Sequence, residues 1–465
     1  MTAWFLERMH GFGSADAIVF DGRTYSYAEL LESTAQWQEF LDEKGVRAGQ
    51  VVALEGPSGI ESCAGLLALV ARGAIVVPMT PLPDAKRTEF HEIAEVEITV
   101  TVGGAPGKNG GDGGDGGDGG DGGDRHLLRH TGRTADHELY GELRTARTPG
   151  LVLFSSGTTG RSKATVLDMT KVLGRYGEAR RPLRTLGFLN LDHIGGINTL
   201  LHTLSQGGTL VTLADRTPDT VCAAVAAHRI EVLPTTPTFL NMLLISGAHR
   251  EHDLSSLRLV TYGTEPMPLG VLQRLDAALP GVRLKQTYGL SELGILPTRS
   301  RDNDSLWVKL GGEGFDYRIR DGILWIRSDM AMLGYLNAPA PFDDEGYFNT
   351  QDAVETDGDY VRILGRKSEI INVAGEKVYP SEVEDVLLEM DLIADATVSG
   401  RHSHVTGQVV QATVKLTRPA DPREVARRVR EHCGARLQPY KVPLLVQVSQ
   451  DDQHSERFKK IRSAA

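Results

Sequence analysis

The sequence predicts a mixed α/β protein with a large N-terminal α/β domain and a smaller C-terminal α+β domain. The chain has 465 residues, which is longer than a domain with a single hydrophobic core usually is, so more than one domain is expected. Apolar segments typical of buried strands alternate with helical segments through most of the chain. Residues 366–465 then show a separate pattern of helices and strands.

The N-terminal part begins with predicted strands at VVALEG (51–56) and AIVVPMT (74–80), with the apolar helix CAGLLALVARG between them. A second strand-helix-strand unit follows. Its predicted strands are 208–213 and 230–237, and the segment 219–229 is its helix. A further strand at 323–328 opens a stretch that is richer in turns.

A Gly-Gly-Asp repeat runs from Gly110 to Asp124 and defines an insertion at about 107–125. The repeat has no apolar side chain to bury and high backbone entropy, so we expect a mobile surface loop. Calcium β-rolls also carry regularly spaced acids, but their longer period includes an apolar position that this repeat lacks. We therefore predict that the insertion is inert.

The C-terminal domain contains two predicted helices. Ser381 and Glu384 have the spacing of a capping box at the start of the first helix. Asp421-Pro422 predicts the start of the second helix, and Gly434 lies near its end. Predicted strands surround these helices at 395–400, 408–416 and 444–449.

Composition and charge exclude several classes of function. The net charge of −11 argues against a general nucleic-acid or anionic-membrane binder. Cys63, Cys222 and Cys433 lie far apart without metal-ligand spacing, which indicates core positions and a reducing compartment. No segment has the pattern of a signal peptide or of a membrane span. We expect a cytoplasmic protein.

The first chemical motif is LVLFSSGTTGRSK, residues 151–163. A buried strand leads into a Ser/Thr/Gly segment, whose backbone N–H and hydroxyl groups could converge on a phosphate. Lys163 adds a positive charge. The spacing is not that of a Walker motif, which argues against a phosphate-loop kinase or GTPase. A plain turn before a lysine is the alternative interpretation.

Two further motifs lie downstream. QTYGLSELG (286–294) contains an aromatic ring, a hydroxyl and a carboxylate, which could contact a base, a phosphate and magnesium. The stretch 346–384 contains Asp352, whose carboxylate could accept hydrogen bonds from both ribose hydroxyls. Each motif by itself is weak, since a Tyr-Gly turn and an exposed hairpin would also account for them.

Together these segments resemble the adenylate-forming superfamily, which includes acyl- and aryl-CoA ligases, peptide-synthetase adenylation domains and beetle luciferase. SSGTTGRSK, YGLSE, the segment from Thr350 to Glu384 and a lysine in FKKIR occur in the order typical of the family. The resemblance spans almost the whole chain and is closest to stand-alone acyl-CoA ligases. It implies a core with layered sheets at 1–365 and a mobile lid at 366–465, with a hinge near Ser368.

The resemblance also implies roles for single residues. The phosphates of ATP would be bound by Ser155, Ser156, Gly157, Thr158, Thr159, Gly160 and Lys163. Adenine would contact Tyr288 and the backbone of Gly263, Thr264 and Glu265, while Asp352 would bind ribose with Arg366 nearby. Ser291 would contact phosphate, Glu292 would bind Mg²⁺, and Gly375 would border the entry of a pantetheine thiol.

Lys460 corresponds to the family lysine that bridges the substrate carboxylate and the α-phosphate. The preceding residue is Lys459, where the family often has glycine, so the register with Ile461 decides the assignment. The family's Thr-Gly-Asp is Thr350-Gln351-Asp352 here, which keeps the carboxylate.

The segment 189–211 aligns with the part of the family that lines the acyl pocket, with His193 as a gate and Gly195-Gly196 leaving space beside it. Asp192 lies near the aspartate of amino-acid-activating domains, but in a different spacing. The resemblance therefore implies a fatty or aryl acid, ATP and Mg²⁺, with an acceptor supplied in trans as coenzyme A or the phosphopantetheine of a stand-alone carrier protein.

Three alternatives remain besides the kinase or GTPase. A relative could only bind or thioesterify preformed acyl-adenylates, an amino-acid-activating domain could use Asp192, and a scaffold protein could bind partners through the repeat. A lysine at 460 and carboxylates at Glu292 and Asp352 are the residue types that adenylation needs, which argues against a non-adenylating relative.

Overall fold

The computed structural model describes residues 3–103, 126–155 and 161–451 together with His454 and Lys460. The predicted insertion at 107–125 lies outside the described residues. The α-helices of the described part are α1 (Ala3–His10), α2 (Tyr27–Glu43), α3 (Ile60–Arg72), α4 (Asp84–Ile93), α5 (Glu138–Ala146), α6 (Met169–Gly174), α7 (Ile194–Ser205), α8 (Pro218–His228), α9 (Pro237–Ser246), α10 (Leu269–Ala278), α11 (Pro380–Leu388) and α12 (Pro422–Gly434).

The strands of the described part are β1 (Asp16–Phe20), β2 (Arg23–Ser26), β3 (Val51–Glu55), β4 (Ile75–Met79), β5 (Ile98–Val102), β6 (His126–His130), β7 (Gly150–Ser155), β8 (Lys163–Asp168), β9 (Arg184–Leu186), β10 (Thr209–Val211), β11 (Val232–Thr235), β12 (Leu259–Tyr262), β13 (Arg283–Gln286), β14 (Tyr288–Leu290), β15 (Gly294–Leu296), β16 (Thr298–Ser300), β17 (Val308–Leu310), β18 (Phe315–Arg320), β19 (Ile323–Ser328), β20 (Gly334–Tyr335), β21 (Phe348–Asp357), β22 (Tyr360–Arg366), β23 (Ile371–Val373), β24 (Glu376–Val378), β25 (Ile393–Ser403), β26 (Gly407–Leu416) and β27 (Leu445–Val448).

The chain divides into two compact units. Unit 1 comprises Met1–Ala214, Leu290–Gly294 and Met330–Ala340, and unit 2 comprises Asp215–Gly289, Ile295–Asp329 and Pro341–Ala465. Both units therefore combine segments that are far apart in the sequence.

Unit 1 contains a mixed sheet with the strand order β20-β8-β7-β4-β3-β5-β6. β3 is parallel to β4 and β5, and β4 is parallel to β7, whereas β8 and β6 join antiparallel. β3 and β4 are buried at every position, as expected of central parallel strands covered on both faces. The predicted strands at 51–56 and 74–80 and the helix between them are confirmed.

Unit 2 contains parallel strands β11, β12 and β13, an antiparallel sheet with the order β16-β17-β22-β21-β19-β18, and a C-terminal sheet. In the C-terminal sheet β25 and β26 form a long antiparallel pair, and β27 joins β26 in parallel. Four predicted strands of this unit are confirmed: 323–328, 395–400, 408–416 and 444–449. Most of their ends agree with the structure to within two residues.

The two C-terminal helices differ in how well their starts were predicted. Asp421 is the N-cap of α12 and accepts hydrogen bonds from the N–H groups of Arg423 and Glu424, and the helix ends at Gly434 as predicted. The predicted capping box of α11 is wrong. Tyr379 is the N-cap, and Ser381 donates its hydroxyl hydrogen bond to the Leu364 carbonyl. The side chains of Ser381 and Glu384, which the local pattern assigned to a helix cap, instead form hydrogen bonds with residues outside the helix.

The three cysteines are free and buried, as predicted. Among the described residues, none of the helices combines the length and the apolar character needed to cross a bilayer.

Candidate active site

The predicted phosphate-binding motif lies on the β7–β8 hairpin of unit 1. Ser155 ends β7 and pairs in register with Lys163, the first residue of β8. The residues between these strands include Ser156, Gly157, Thr158, Thr159 and Gly160, which lie outside the described residues. Ser155 and Lys163 therefore lie opposite each other on neighbouring strands.

Asn337 fixes the strand that follows this motif. Its side-chain Nδ2 donates to the Ser162 carbonyl at 2.7 Å, and its Oδ1 accepts from the Ala164 N–H at 3.1 Å. The Ser162 N–H donates to Glu89 Oε1 at 3.1 Å. Asn337 lies 175 residues away from Ser162 in the sequence. The motif itself therefore gave no indication of Asn337.

Tyr335 connects two of the predicted site residues. It lies on β20, which pairs antiparallel with β8. The Tyr335 hydroxyl donates to Glu292 Oε1 at 2.6 Å, and the Lys163 ammonium lies 5.1 Å from the centroid of the Tyr335 ring. A cation at this distance from an aromatic face is attracted by the ring. Tyr335 was missed from the sequence, and the Gly-Tyr pair before Asn337 is the signal that could have indicated it.

Glu292 and Ser291 lie in the turn after β14, and both are partly buried. The Glu292 carbonyl accepts from the Met332 N–H at 2.8 Å, which fixes this turn against the segment that carries Tyr335. Unit 1 thus brings Lys163, Tyr335 and Glu292 together. We call these three residues the phosphate-side cluster.

A second cluster lies in unit 2 around Asp352, which is 6% exposed. The Tyr288 hydroxyl donates to Asp352 Oδ2 at 2.5 Å, and Arg366 Nε lies 3.5 Å from Asp352 Oδ1. Asp352 and Arg366 are register partners on β21 and β22. We call Tyr288, Asp352 and Arg366 the ribose-side cluster.

Burial first, and then the adjacent Asp352 carboxylate, raise the pKa of Tyr288 well above its usual range. Tyr288 therefore keeps its proton and remains a donor to Asp352. The Asp352 N–H donates to the Thr350 hydroxyl, which in turn donates to the Leu324 carbonyl at 2.7 Å. Hydrogen bonds therefore fix both the main chain of Asp352, through Thr350, and its carboxylate, through Tyr288.

The backbone at Gln351 is in the left-handed region, with φ of 62°. Side chains at such positions cost free energy, and glycine avoids this cost. This conformation gives a physical reason for the family's glycine in Thr-Gly-Asp, and this chain tolerates Gln351 there. The Asn349 side chain accepts a hydrogen bond from the Gln351 N–H at 3.0 Å.

The Gly263-Thr264-Glu265 segment follows β12 in unit 2. A Cβ on Gly263 would lie 2.6 Å from the Thr287 hydroxyl oxygen, so a larger residue does not fit there. Thr264 has φ of 76°, which is unusual for a β-branched residue. Glu265 accepts from both the N–H and the hydroxyl of Thr238. Strained, tightly held backbone of this kind is typical of ligand-binding segments.

The predicted acyl-pocket residues lie at the start of α7. His193 is the N-cap, and its Nδ1 accepts from the Gly195 N–H at 3.0 Å. This contact assigns the ring hydrogen of the neutral form to Nε2. The prediction that Gly195 and Gly196 leave open space beside His193 is wrong, because a Cβ on Gly196 would lie 2.0 Å from the Asn190 carbonyl oxygen and one on Gly195 would lie 2.5 Å from the Leu189 side chain. Asp192 is buried and accepts from the Thr80 hydroxyl at 3.0 Å.

The predicted lid residues lie in unit 2. Ser368 lies in a short 3₁₀ helix, Lys367–Glu369, directly after β22. Ala374 and Gly375 form the exposed two-residue turn between β23 and β24, with φ of 51° and 91°. Positive φ at both positions is the backbone of a type I′ hairpin turn. Lys460 has its side chain buried against acidic groups.

Within the described ranges, no group of three or more His, Cys, Asp and Glu side chains could hold a metal ion by itself. Mg²⁺ in nucleotide enzymes is commonly held by one or two carboxylates plus substrate phosphates. A single carboxylate at Glu292 fits this pattern.

Comparison with known families decides what these clusters belong to. The sequence model described as AMP-binding enzyme matches residues 5–336, and the model of the AMP-binding enzyme C-terminal domain matches residues 382–459. The chain belongs to the AMP-binding enzyme family. The predicted resemblance is therefore confirmed.

Curated relatives of this AMP-binding enzyme are CoA ligases. One, from Mycobacterium tuberculosis, is named for a methyl-dioxo-octahydroindenyl propanoyl group and is 29% identical over 90% of this chain and 89% of its own length. An indoleacetate–CoA ligase of Aromatoleum aromaticum is 27% identical over 92% of this chain and 90% of its own length. The chain is an acid–thiol ligase that activates its acid with ATP.

The fold is also that of solved adenylate-forming enzymes. An anthranilate–CoA ligase in complex with anthranoyl-AMP has a TM-score of 0.78 and 18% sequence identity, covering 98% of this chain and 95% of the other. The predicted fold class, a large N-terminal α/β domain with a smaller C-terminal domain, is confirmed.

Proposed function

We propose that this AMP-binding enzyme converts a fatty or aryl carboxylic acid to an acyl-AMP, releases pyrophosphate, and transfers the acyl group to a pantetheine thiol. The observation that carries the proposal is the ribose-side cluster. Its buried Asp352 carboxylate is held by Tyr288 and lies next to Arg366. A fixed carboxylate can accept two hydroxyl hydrogen bonds without reorganising, which suits a ribose.

The proposed nucleotide contacts extend from this cluster. Tyr288 and the backbone at Gly263–Glu265 would contact adenine, and Arg366 would lie near the ribose. The motif from Ser155 to Gly160 and the Lys163 ammonium would bind the phosphates. The attraction between Lys163 and the Tyr335 ring supports this role, because it holds the ammonium near the end of the motif.

Mg²⁺ would bind at Glu292, where it would neutralise negative charge on the phosphates. The hydrogen bond from Tyr335 to Glu292 Oε1 would orient that carboxylate. Ser291 would contact phosphate from the same turn. These residues bind and orient, and the attacking group is the carboxylate of the substrate.

The attack brings a carboxylate oxygen to the α-phosphorus, forms the acyl–phosphate bond and expels pyrophosphate. Two anions must meet in this step, so positive charge near the forming bond lowers the barrier. We propose that the Lys460 ammonium supplies it. In the second step the thiol sulfur attacks the acyl carbonyl and the acyl–oxygen bond breaks, so that the thioester forms, AMP leaves and the thiol proton passes to solvent. Gly375 would lie beside the thiol. The boundary between core and lid would lie at 365/366.

The acid would bind near the start of α7, beside His193. The names of two relatives refer to acids with ring systems, which supports an apolar cyclic or aryl acid. Asp192 supports a second candidate, an acid that carries an amino group, because a buried carboxylate next to His193 could hold an ammonium.

The test is pyrophosphate release with ATP and Mg²⁺ across fatty, aryl and amino acids, with and without coenzyme A. Acid-dependent release from aryl or fatty acids, increased by coenzyme A, would support the proposal. Release without any effect of coenzyme A would assign a carrier protein as acceptor, and release only with amino acids would favour the second candidate. Thioester formation only from supplied acyl-AMP would contradict adenylation.

A further inference from the structure

The side chain of Lys460 lies in an acidic site of unit 2. Its Nζ donates to the Ala396 carbonyl at 2.7 Å and lies 3.3 Å from Glu384 Oε2 and 3.8 Å from Asp395 Oδ1. The Lys460 side chain is 8% exposed. We call Glu384, Asp395 and the Ala396 carbonyl the lysine dock.

Main-chain groups of β25 hold both carboxylates of the dock. Glu384 Oε1 accepts from the Val398 N–H at 2.9 Å, which leaves Oε2 for the lysine. Asp395 Oδ1 accepts from the Ala396 N–H at 2.9 Å. Because contacts with the sheet already fix these carboxylates, the dock does not depend on the lysine for its shape.

The main chain at Lys460 is also bound. Its N–H donates to Glu265 Oε2 at 3.1 Å, while the other oxygen of Glu265 accepts from Thr238. Side-chain and main-chain contacts therefore both favour the docked position.

The docked position is incompatible with a simultaneous role in adenylation. A lysine ammonium has three N–H donors. Hydrogen bonds to the Ala396 carbonyl and to Glu384 Oε2 use two of them, and Asp395 Oδ1 lies within ion-pair distance of the ammonium at 3.8 Å. Neutralising a substrate carboxylate and an α-phosphate would require the same donors. Departure of Lys460 would remove a cation from beside two carboxylates that lie close together, so the dock competes with the substrate for the lysine.

We propose that Glu384 and Asp395 are positioning residues that hold Lys460 in a resting position, and that Lys460 must leave this dock before it can assist adenylation. The inference rests on the proposed function of Lys460 in the first half-reaction. It predicts that weakening the dock makes the lysine more reactive and makes adenylation faster.

The first experiment measures the reactivity of Lys460 directly. The full-length protein is treated with limiting acetic anhydride, and acetylation of Lys460 and of the exposed Lys377 is followed by mass spectrometry. In Asp395→Asn we expect Lys460 to label roughly fivefold to tenfold faster than in the wild type, because the ammonium loses one of the two carboxylates that favour its charged form. Labelling of Lys377 should not change. An unchanged Lys460 rate would overturn the proposal.

The second experiment measures acid-dependent ATP–pyrophosphate exchange at subsaturating ATP for the same variant. We expect exchange to rise about twofold to fivefold, because a larger fraction of the enzyme has an available lysine. Thioester formation from supplied acyl-AMP should stay constant. Faster labelling with unchanged or slower exchange would overturn the proposal, since the carboxylates would then not compete with the substrate.

Two further variants make the test specific. Glu384→Gln keeps an oxygen for the Val398 N–H but removes the charge, so it should reproduce Asp395→Asn. Glu389→Gln removes a carboxylate that pairs with Arg436 at 2.9 Å and should change neither readout. Failure of the proposed function can be distinguished from failure of the dock. If Lys460 had no role in adenylation, Lys460→Ala would leave exchange intact. The labelling rate of Lys460 would still test the dock in that case.

Discussion

Two lysines that we propose to meet phosphate charge lie in very different surroundings. Lys163 begins β8 at the end of its motif, partly buried, with its ammonium over the Tyr335 ring. Lys460 is buried with its ammonium among Glu384, Asp395 and the Ala396 carbonyl. An aromatic face attracts a cation without neutralising its charge, whereas carboxylates neutralise it.

The difference separates a lysine that is available to a ligand from one that must first exchange partners. Lys163 can bind an anion while it keeps its contact with the ring. Lys460 can do so only after it leaves the carboxylates of Glu384 and Asp395. We therefore expect Lys163 to act in ground-state binding and Lys460 to act in a step that is conformationally controlled.

The largest effect is expected for Lys460→Ala. Acid-dependent ATP–pyrophosphate exchange should fall by about 10²–10³-fold, the cost of removing one group that stabilises transition-state charge. Thioester formation from supplied acyl-AMP should remain within about threefold of the wild type, because the lysine acts in the first step only. If Lys459→Ala gave this pattern instead, the register of the assignment would be wrong by one residue.

The acidic surroundings of Lys460 should also make stability depend on pH. Burial raises the pKa of Asp385 to about 7, and Lys460 and Arg362 only partly oppose this effect. Because the folded pKa lies above the unfolded one, the contribution of Asp385 to stability is fully present below about pH 4 and is lost as pH rises to 7. Asp385→Asn should therefore raise the free energy of unfolding at pH 8, on the order of 3–4 kcal/mol, and less at pH 5.

Urea unfolding of wild type and Asp385→Asn at pH 5 and pH 8 measures this difference. Glu389→Gln provides the control, since its carboxylate is partly exposed. A gain in stability that is equal at both pH values would show that Asp385 is ionised throughout this range.

Lys163→Ala should act on binding rather than on chemistry. We expect the KM for ATP to rise roughly 10- to 100-fold with a smaller change in kcat, as loss of a charge-assisted phosphate contact implies. Lys171→Ala, which removes an exposed lysine on α6, is the matched control and should leave KM unchanged. A fall in kcat with unchanged KM would remove the distinction between the two lysines.

The smallest effect is expected for Tyr335→Phe. The ring under Lys163 would remain, while the hydrogen bond to Glu292 would be lost. We expect a change of about threefold to tenfold in the Mg²⁺ concentration needed for half-maximal activity, since one neutral donor to a carboxylate is removed. Tyr335→Leu removes the ring as well and should also raise the KM for ATP. Equal behaviour of the two variants would show that the ring does not hold Lys163.

Local sequence was sufficient where an element depends on its own residues. The strands at 51–56 and 74–80 are apolar throughout, and Asp421-Pro422 specifies the start of α12. The strand before the motif at Ser155 was predicted for the same reason. Conversely, Ser381 and Glu384 have capping-box spacing but bond to Leu364 and Val398, because burial in the tertiary structure gives these groups other partners.

The sequence by itself determined the family, the fold class and the residue types available for adenylation, because ordered motifs and apolar periodicity are local properties. Only the tertiary structure decided which of these residues meet. Tyr335 reaches Glu292 from 43 residues away, Tyr288 reaches Asp352 from 64, and Lys460 reaches Glu384 from 76. Hydrogen bonds and ion pairs act over a few ångströms, so pairs this distant in sequence are set by the packing of sheets and helices rather than by local pattern.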